Sequence, residues 1–498
     1  MNIKRAKEEI KNTIEAYLLK DEQGEYVIPA IRQRPVLLMG PPGVGKTQIM
    51  EQLAMECKVG LVSYTITHHT RQSAVGLPFI EKKLYGGREY SVTEYTMSEI
   101  VASVYDKMEQ TGLSEGILFI DEINCVSETL APTMLQFLQG KTFGNHKIPE
   151  GWVIVAAGNP PEYNRSVREF DVVTLDRIKK IDVEPDLGVW KEYAYSQEIH
   201  PAITSYLNIK PQHFCQIETT VDGKRFATPR GWEDLSQFLQ VYEKLGKRAD
   251  RDVISQYIAH PRISKDFANY LELYYKYQNQ YQVEEILSGV IREELCDRLA
   301  RAAFDERLGV SGLLLAKLMD GFKSLLRHKQ EMTLLMEQLK EFQKQLPDKE
   351  PSECLEAMAE ALGQSGEKQR RDGLITRRQA YIYRKISGCL AGYGKGLKEE
   401  GINRKEDAWQ WVRSRFMEES DCYEKEKADC GQRLEHAFDF MEAAFGNGQE
   451  MVIFVTELNG AEASVAFLEQ YDCERYYHYN KELLFDEQEK ALRGLLEQ

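Results

Sequence analysis

Eight consecutive residues, Gly40-Pro41-Pro42-Gly43-Val44-Gly45-Lys46-Thr47, place three glycines, an ammonium and a hydroxyl in one short run. Glycines let a backbone wrap closely around a phosphate, so that successive N–H groups point at it. Lys46 can reach the β- and γ-phosphates of a nucleotide, and the Thr47 hydroxyl can bind Mg²⁺. With Gln48 included, residues 40–48 form a candidate phosphate cradle. Two carboxylates, Asp121 and Glu122, stand about 75 residues beyond Lys46. In such a site Asp121 holds Mg²⁺ and Glu122 polarises the attacking water. The alternative is an Asp-Glu pair that only caps the next helix. A third polar residue, Asn159, precedes Pro160. A side-chain amide beside the γ-phosphate can orient water and report hydrolysis; the alternative is a turn asparagine.

The flanking residues predict how these groups are positioned. Val36-Leu37-Leu38-Met39 enters the glycine run as a buried strand, and Ile49, Met50, Leu53 and Ala54 leave it as the apolar side of a helix. Strand, glycine loop and helix in that order form the P-loop pattern. Gly116–Ile120 is an apolar strand that ends at Asp121, and Trp152–Gly158 is another that ends at Asn159. Gly60–Ile66 is a further strand; Ile10, Ile14 and Leu18 mark a leading helix by their spacing. Apolar residues in Tyr26–Ile31 could pack against an adenine ring or simply fill the core. Lys82–Tyr90, turning at Gly86-Gly87, reads as a hairpin, followed by a helix over Met97–Glu109. Leu130–Leu138 is helical and Lys141–Glu150 could form a second hairpin.

Bulk properties narrow the class. The chain has 498 residues, 42% hydrophobic and 29% charged, a globular balance with room for two or three domains. The net charge of −15 speaks against a dedicated nucleic-acid surface, which needs clustered Lys and Arg. Nine dispersed cysteines without a CxxC pair predict reduced thiols and a cytoplasmic setting. The start of the chain lacks the apolar core of a signal peptide, and no run has the length of a membrane span. His68-His69 lacks an evident third ligand, so structural or polar-contact roles are preferred to a metal site.

GPPGVGKT, LFIDEIN and AAGNP, in this order and spacing, resemble the core of AAA+ ATPases. The two hairpins together with Gly76-Leu77-Pro78 resemble the MoxR group and its dynein-related and magnesium-chelatase relatives. The resemblance spans roughly residues 30–260. It implies an α/β P-loop core, a parallel sheet with helices on both faces, then a small helical lid, with ATP and Mg²⁺ as ligands. Val173-Thr174-Leu175-Asp176-Arg177-Ile178 resembles the segment that supplies an arginine finger to a neighbouring subunit, which makes Arg177 the choice, with Arg165 and Arg168 as competitors. The alternative for Arg177 is a surface pairing within its own subunit. Ala227-Thr228-Pro229-Arg230-Gly231-Trp232 resembles the sensor-2 motif, with Thr228 as N-cap, Pro229 in the first turn and Arg230 directed at the nucleotide. Gly231-Trp232 departs from the small residue usual there.

The expected organisation is a core over 1–183, a lid over 184–260 hinged at Glu184-Pro185-Asp186, and a mainly helical region over 261–498. In the lid, helices over Leu187–Gln197 and Pro201–Leu207 precede a small hairpin turning at Asp222-Gly223. Beyond 260, the tyrosines at 270, 274, 275, 277 and 281 form the buried face of a helix. Leu313–Leu346 forms one or two long helices interrupted by Pro347–Pro351; Ser365–Arg371 is a polar loop; Met451–Thr456 is a strand. The functional expectation is a hydrolysing ATPase in which Glu122 activates water while Lys46, Arg177 and Arg230 offset developing charge. The resemblance implies a hexameric ring acting in remodelling, chaperone-like assembly or metal insertion, often with a von Willebrand factor A-domain partner, for which the C-terminal region is the natural contact. The rivals are a nucleotide-gated scaffold with little turnover and a nucleic-acid-stimulated motor or restriction-type translocase.

Overall fold

Short apolar runs alternating with helical stretches predict parallel strands buried on both faces, and the computed structural model has that layout. It describes residues 1–498 except 69–71, 73, 75, 144, 164–166, 168–169, 221–222, 347–348, 482 and 484–498. The chain divides into two compact units, Met1–Val189 with Arg370–Ile375, and Trp190–Gln369 with Thr376–Gln498.

The first unit begins with α1 (Ile3–Leu18), β1 (Val36–Met39), α2 (Lys46–Cys57) and β2 (Gly60–Thr65). The hairpin β3 (Pro78–Tyr85) and β4 (Arg88–Tyr95) follows, then α3 (Glu99–Thr111), β5 (Gly116–Asp121) and α4 (Ala131–Gly140). A two-residue ribbon, β6 (Thr142–Phe143) and β7 (His146–Lys147), leads to β8 (Trp152–Gly158), α5 (Val172–Leu175) and β9 (Lys179–Asp182). Five strands form one parallel sheet in the order β2-β5-β8-β1-β9. Successive side chains of a strand face opposite ways, so each run feeds two cores. Leu37, Leu118, Ile120, Ile154 and Ala156 pack on one face with Val101, Met134 and Phe137. Val36, Leu38, Phe119, Val153 and Val155 pack on the other with Met50, Leu53 and the α1 residues Ala6 and Ile10. Asn2 caps α1 by accepting from the Arg5 N–H at 2.9 Å.

The second unit holds most of α6 (Leu187–Ser196), then α7 (Pro201–Ile209), the hairpin β10 (Gln216–Thr220) and β11 (Gly223–Ala227), α8 (Pro229–Lys244) and α9 (Arg251–Tyr257). It continues as α10 (Pro261–Tyr281), α11 (Val283–Leu287), α12 (Glu293–Ala300), α13 (Phe304–Gln345) and α14 (Pro351–Arg371). The last helices are α15 (Arg377–Glu399), α16 (Lys405–Phe445), α17 (Gln449–Gly460) and α18 (Glu462–Leu468). The five tyrosines of α10 are buried, so their density reflects core packing. No single described helix is long and apolar enough to cross a membrane.

Two expectations are corrected. Residues 451–456 are helical, inside α17, because Met451, Phe454, Val455 and Leu458 recur at helical spacing and all four are buried. Residues 365–371 are not a loop but the end of α14. There Gly366 sits so close to α15 that a Cβ would lie 2.7 Å from the Tyr383 Cβ. That tertiary contact outweighs the polar composition of the segment.

Candidate active site

β1 lies between β8 and β9, and its carboxyl end runs into the glycine loop. Gly43 and Gly45 take φ of 80° and 93°, the left-handed region that only glycine enters freely. Gly40 is required for space: a Cβ would lie 2.6 Å from the Val183 carbonyl oxygen. α2 then starts at Lys46 with no side-chain cap from Gly45. N–H groups at a helix start lack intrahelical partners and favour anions.

Lys46 is buried, and its Nζ donates to the Gly40 carbonyl at 2.8 Å, the Pro41 carbonyl at 2.9 Å and Asn159 Oδ1 at 2.9 Å. Three oxygens therefore compensate a charge withdrawn from water. Thr47 Oγ1 donates to Asp121 Oδ2 at 2.9 Å, and Asp121 Oδ1 accepts from the Glu122 N–H at 2.9 Å. The two expected Mg²⁺ residues are thus in direct contact, 74 positions apart in sequence.

Glu122 has φ of 56°. For a residue with a Cβ this conformation costs about 1–3 kcal/mol and persists only where neighbours impose it. Here the next N–H, of Ile123, donates to the Ala157 carbonyl at 2.9 Å, and the Cys125 N–H donates to the Glu122 carbonyl at 2.9 Å. These bonds lock the bend at the end of β5. The Glu122 Oε2 accepts from Thr67 Oγ1 at 3.0 Å, in the short turn Ile66–His68 that follows β2.

Asn159 is held from behind by Asn124. The Asn124 Nδ2 donates to the Asn159 carbonyl at 2.8 Å, and its Oδ1 accepts from the Asn159 N–H at 3.3 Å. Asn124 is 3% exposed, and a Cβ on Gly158 would lie 2.5 Å from its Oδ1. Sequence reasoning gave no role to Asn124 or Thr67. For Asn124 a signal existed: an amide flanked by Ile123 and Val126 in a buried stretch must find hydrogen bonds. Thr67 offered none.

The structure thus brings together Gly40–Thr47, Asp121, Glu122 and Asn159 at the carboxyl edge of one sheet. Gln48 follows in α2 with its side chain exposed. Arg177 is exposed just beyond α5, and its Nη1 donates to Gln139 Oε1 on α4 of the same chain. Its intramolecular partner is an amide, not the carboxylate expected of a surface pairing. Arg230 belongs to the second unit, exposed in the first turn of α8. Thr228 Oγ1 caps that helix, accepting from the Gly231 N–H at 3.2 Å. The Gly231-Trp232 departure has a packing reason. A Cβ at 231 would lie 2.7 Å from the Tyr257 carbonyl oxygen, and the buried Trp232 Nε1 donates to the carbonyls of His213 and Phe214 at 3.2 Å. Arg165, Arg168 and His69 lie outside the described residues.

Among the described residues no group of three or more His, Cys, Asp or Glu could hold a metal by itself. Mg²⁺ bound together with phosphates needs only one or two protein ligands, and the Thr47–Asp121 pair meets that requirement with oxygen donors alone.

The model of the ATPase family associated with various cellular activities (AAA) matches residues 36–175, the stretch that contains β1, the glycine loop, Asp121, Glu122 and Asn159. No curated protein sequence matches the chain. Among solved structures, a point mutant of RuvB from Thermotoga maritima is 16% identical with a TM-score of 0.29, over 51% of this chain and 68% of that one. NtrX from Brucella abortus, in complex with ADP, is 15% identical with a TM-score of 0.25, over 42% of this chain and 43% of that one. The family match and the site therefore fall on the same strands, within residues 36–175.

Proposed function

We propose that the chain binds ATP with Mg²⁺ at Gly40–Gln48 and hydrolyses it to drive remodelling or assembly of a partner protein. The observation that carries this reading is the contact of Thr47 with Asp121 beside the contact of Lys46 with Asn159, both at 2.9 Å. Bound Mg²⁺, held by Thr47 and Asp121, would neutralise charge on the β- and γ-phosphate oxygens. Lys46 exchanges loop carbonyls for phosphate oxygens. Glu122, released from Thr67, takes a proton from the attacking water. Asn159 orients that water, and its backbone stays fixed on Asn124.

The finer reading is a MoxR-like machine with core, lid and C-terminal region at 1–183, 184–260 and 261–498. Hairpins β3–β4 and β6–β7 support that grouping. The exposure of Arg177 supports a role as a finger in a neighbour's site, and so a ring, hexameric by resemblance. Arg230 would complete the site from the lid. The C-terminal helices would contact a partner, of which a von Willebrand A-domain protein is the leading class, in a chaperone-like or metal-insertion role. Nine unpaired cysteines support a cytoplasmic setting.

Phosphate release from mixed variants tests this. Lys46→Ala and Arg177→Ala chains should each be inactive alone. Mixed, they should regain activity, since some interfaces then pair an intact loop with an intact finger. Absence of complementation, with each variant folded, contradicts the shared site.

A further inference from the structure

In a chain of net charge −15, residues 373–398 contain no Asp or Glu and six Lys or Arg. Most of that stretch is α15, whose buried Ile382, Ile386 and Leu390 share one core with Leu335 and Leu339 of α13. The opposite face of α15 is open. Arg377, Tyr381 and Arg384, spaced i, i+4 and i+7, lie along it, and all three are exposed, Tyr381 by 51%. Lys385 turns toward α13, where Glu331 Oε2 accepts from its Nζ at 2.6 Å. Arg327 of α13 stands beside that pair: its charge opposes the rise that Glu331 gives the Lys385 pKa. All of these residues belong to the second unit.

Other cations of these helices have carboxylate partners. Lys385 has Glu331, Lys398 has Glu356, Arg415 has Glu418 and Lys427 has Glu424. The side chains of Arg377, Arg378 and Arg384 form no hydrogen bond or ion pair among the described residues, and that of Arg327 has only the Ser324 hydroxyl, at 3.4 Å. Beside Arg378, the Lys323 ammonium is offset by Glu198 and Asp320, so the uncompensated charge is that of the four arginines. Two of them also stand where they weaken the helix. Arg377 and Arg378 open α15 directly after its cap, Thr376, and its first turn holds no acid. A helix start carries partial positive charge, so cations there are unfavourable. Sequences break such local rules where a functional site requires it.

The surface is led by charge. Tyr381 is the one large apolar side chain exposed on α15. Protein partners bury an apolar interface core depleted in charge, which this face does not supply. Interfaces with nucleic acid are polar and strongly cationic. Guanidinium forks fit phosphate oxygens two at a time, and an exposed ring takes any base by stacking. Bases free to stack on a side chain belong to a single strand.

We propose that the α13–α15 face binds single-stranded nucleic acid. Arg327, Arg377, Arg378 and Arg384 hold its phosphates, and Tyr381 stacks on a base. The net charge of −15 excludes a broad cationic surface but not this local one, because exposed charges more than about 10 Å away are largely screened at 0.1 M salt. This surface binds without ATP and does not depend on hydrolysis.

Fluorescence anisotropy of a labelled oligothymidylate of about 20 nucleotides, longer than a typical single-strand site, tests the proposal on the full chain without nucleotide. Binding should saturate. The logarithm of the association constant should fall against that of salt concentration with a slope of about −3, four phosphates at about 0.7 each. Arg377→Gln combined with Arg384→Gln should weaken binding about tenfold or more and flatten the slope to about −1.4. Tyr381→Ala should weaken it about fivefold or more, while Tyr381→Phe retains it. Arg377→Lys combined with Arg384→Lys keeps the charges and should keep the slope, and unchanged circular dichroism shows that each fold persists. No saturable binding, binding untouched by the Gln pair or by Tyr381→Ala, or equal binding of poly-L-glutamate would each overturn it, the last by assigning the face to an acidic polypeptide.

Discussion

Asn124 grips both main-chain polar groups of Asn159: its amide nitrogen donates to the Asn159 carbonyl at 2.8 Å, and its amide oxygen accepts the Asn159 N–H at 3.3 Å. Asn159 in turn accepts from the Lys46 ammonium at 2.9 Å. Three residues from three separate connections are therefore registered against one another at the sheet edge. These two bonds of Asn124 go to Asn159 rather than to the phosphate cradle, so they set where Asn159 points.

Asn124→Ala should consequently act on turnover more than on binding. A displaced water-orienting group costs roughly tenfold to a hundredfold in kcat, while the KM for ATP stays within a few-fold. Steady-state kinetics separate the two. A rise in KM with unchanged kcat would show that Asn124 shapes the cradle instead.

The Thr67 hydroxyl holds the Glu122 carboxylate at 3.0 Å. A hydrogen bond to a charged group contributes about 1.5–3 kcal/mol, and this one occupies Oε2, one of the two Glu122 oxygens that could receive a proton from water. Thr67→Val keeps the shape and removes the donor. Basal phosphate release should then rise several-fold in the absence of any partner. A fall would mean that Thr67 holds Glu122 in its working position.

Lys141 presents a different case. It is 7% exposed, takes φ of 54° after α4, and its Nζ donates to Gln33 Oε1 at 3.3 Å. Burial, reinforced by the nearby Lys147, lowers its pKa from 10.5 to about 8. Below about pH 8 both folded and unfolded chains carry this proton, and the folded state bears the whole cost of the buried charge. Between about 8 and 10.5 the unfolded chain binds more proton than the folded one, so this group's contribution to stability rises with pH. Lys141→Met should stabilise the protein at pH 7 by roughly 1–2 kcal/mol, after allowance for the lost bond to Gln33. The advantage should shrink as pH rises through that window. Melting curves of both proteins across it provide the check, and a constant difference would contradict the buried-charge explanation.

Much of the core was legible because one physical rule places it. A strand buried on both faces is continuously apolar, and the residue that breaks the run marks the sheet edge where a ligand can sit. Met39 yields to Gly40, Ile120 to Asp121 and Gly158 to Asn159 in this way. Asn124 and Thr67 escaped that rule because their roles depend on partners 35 and 55 positions away. The segment at 451–456 misled because a short apolar run fits either period; only the recurrence as far as Leu458 distinguishes helix from strand.

Hydrolysis with Glu122 as base is tested most directly by comparing wild-type and Glu122→Gln chains for ATP binding and multiple-turnover phosphate release with Mg²⁺. The expected result is tight binding in both and turnover lowered about a hundredfold or more in the variant. Phosphate release at the same rate from both proteins, or none from wild type with any nucleotide or partner tested, would contradict it.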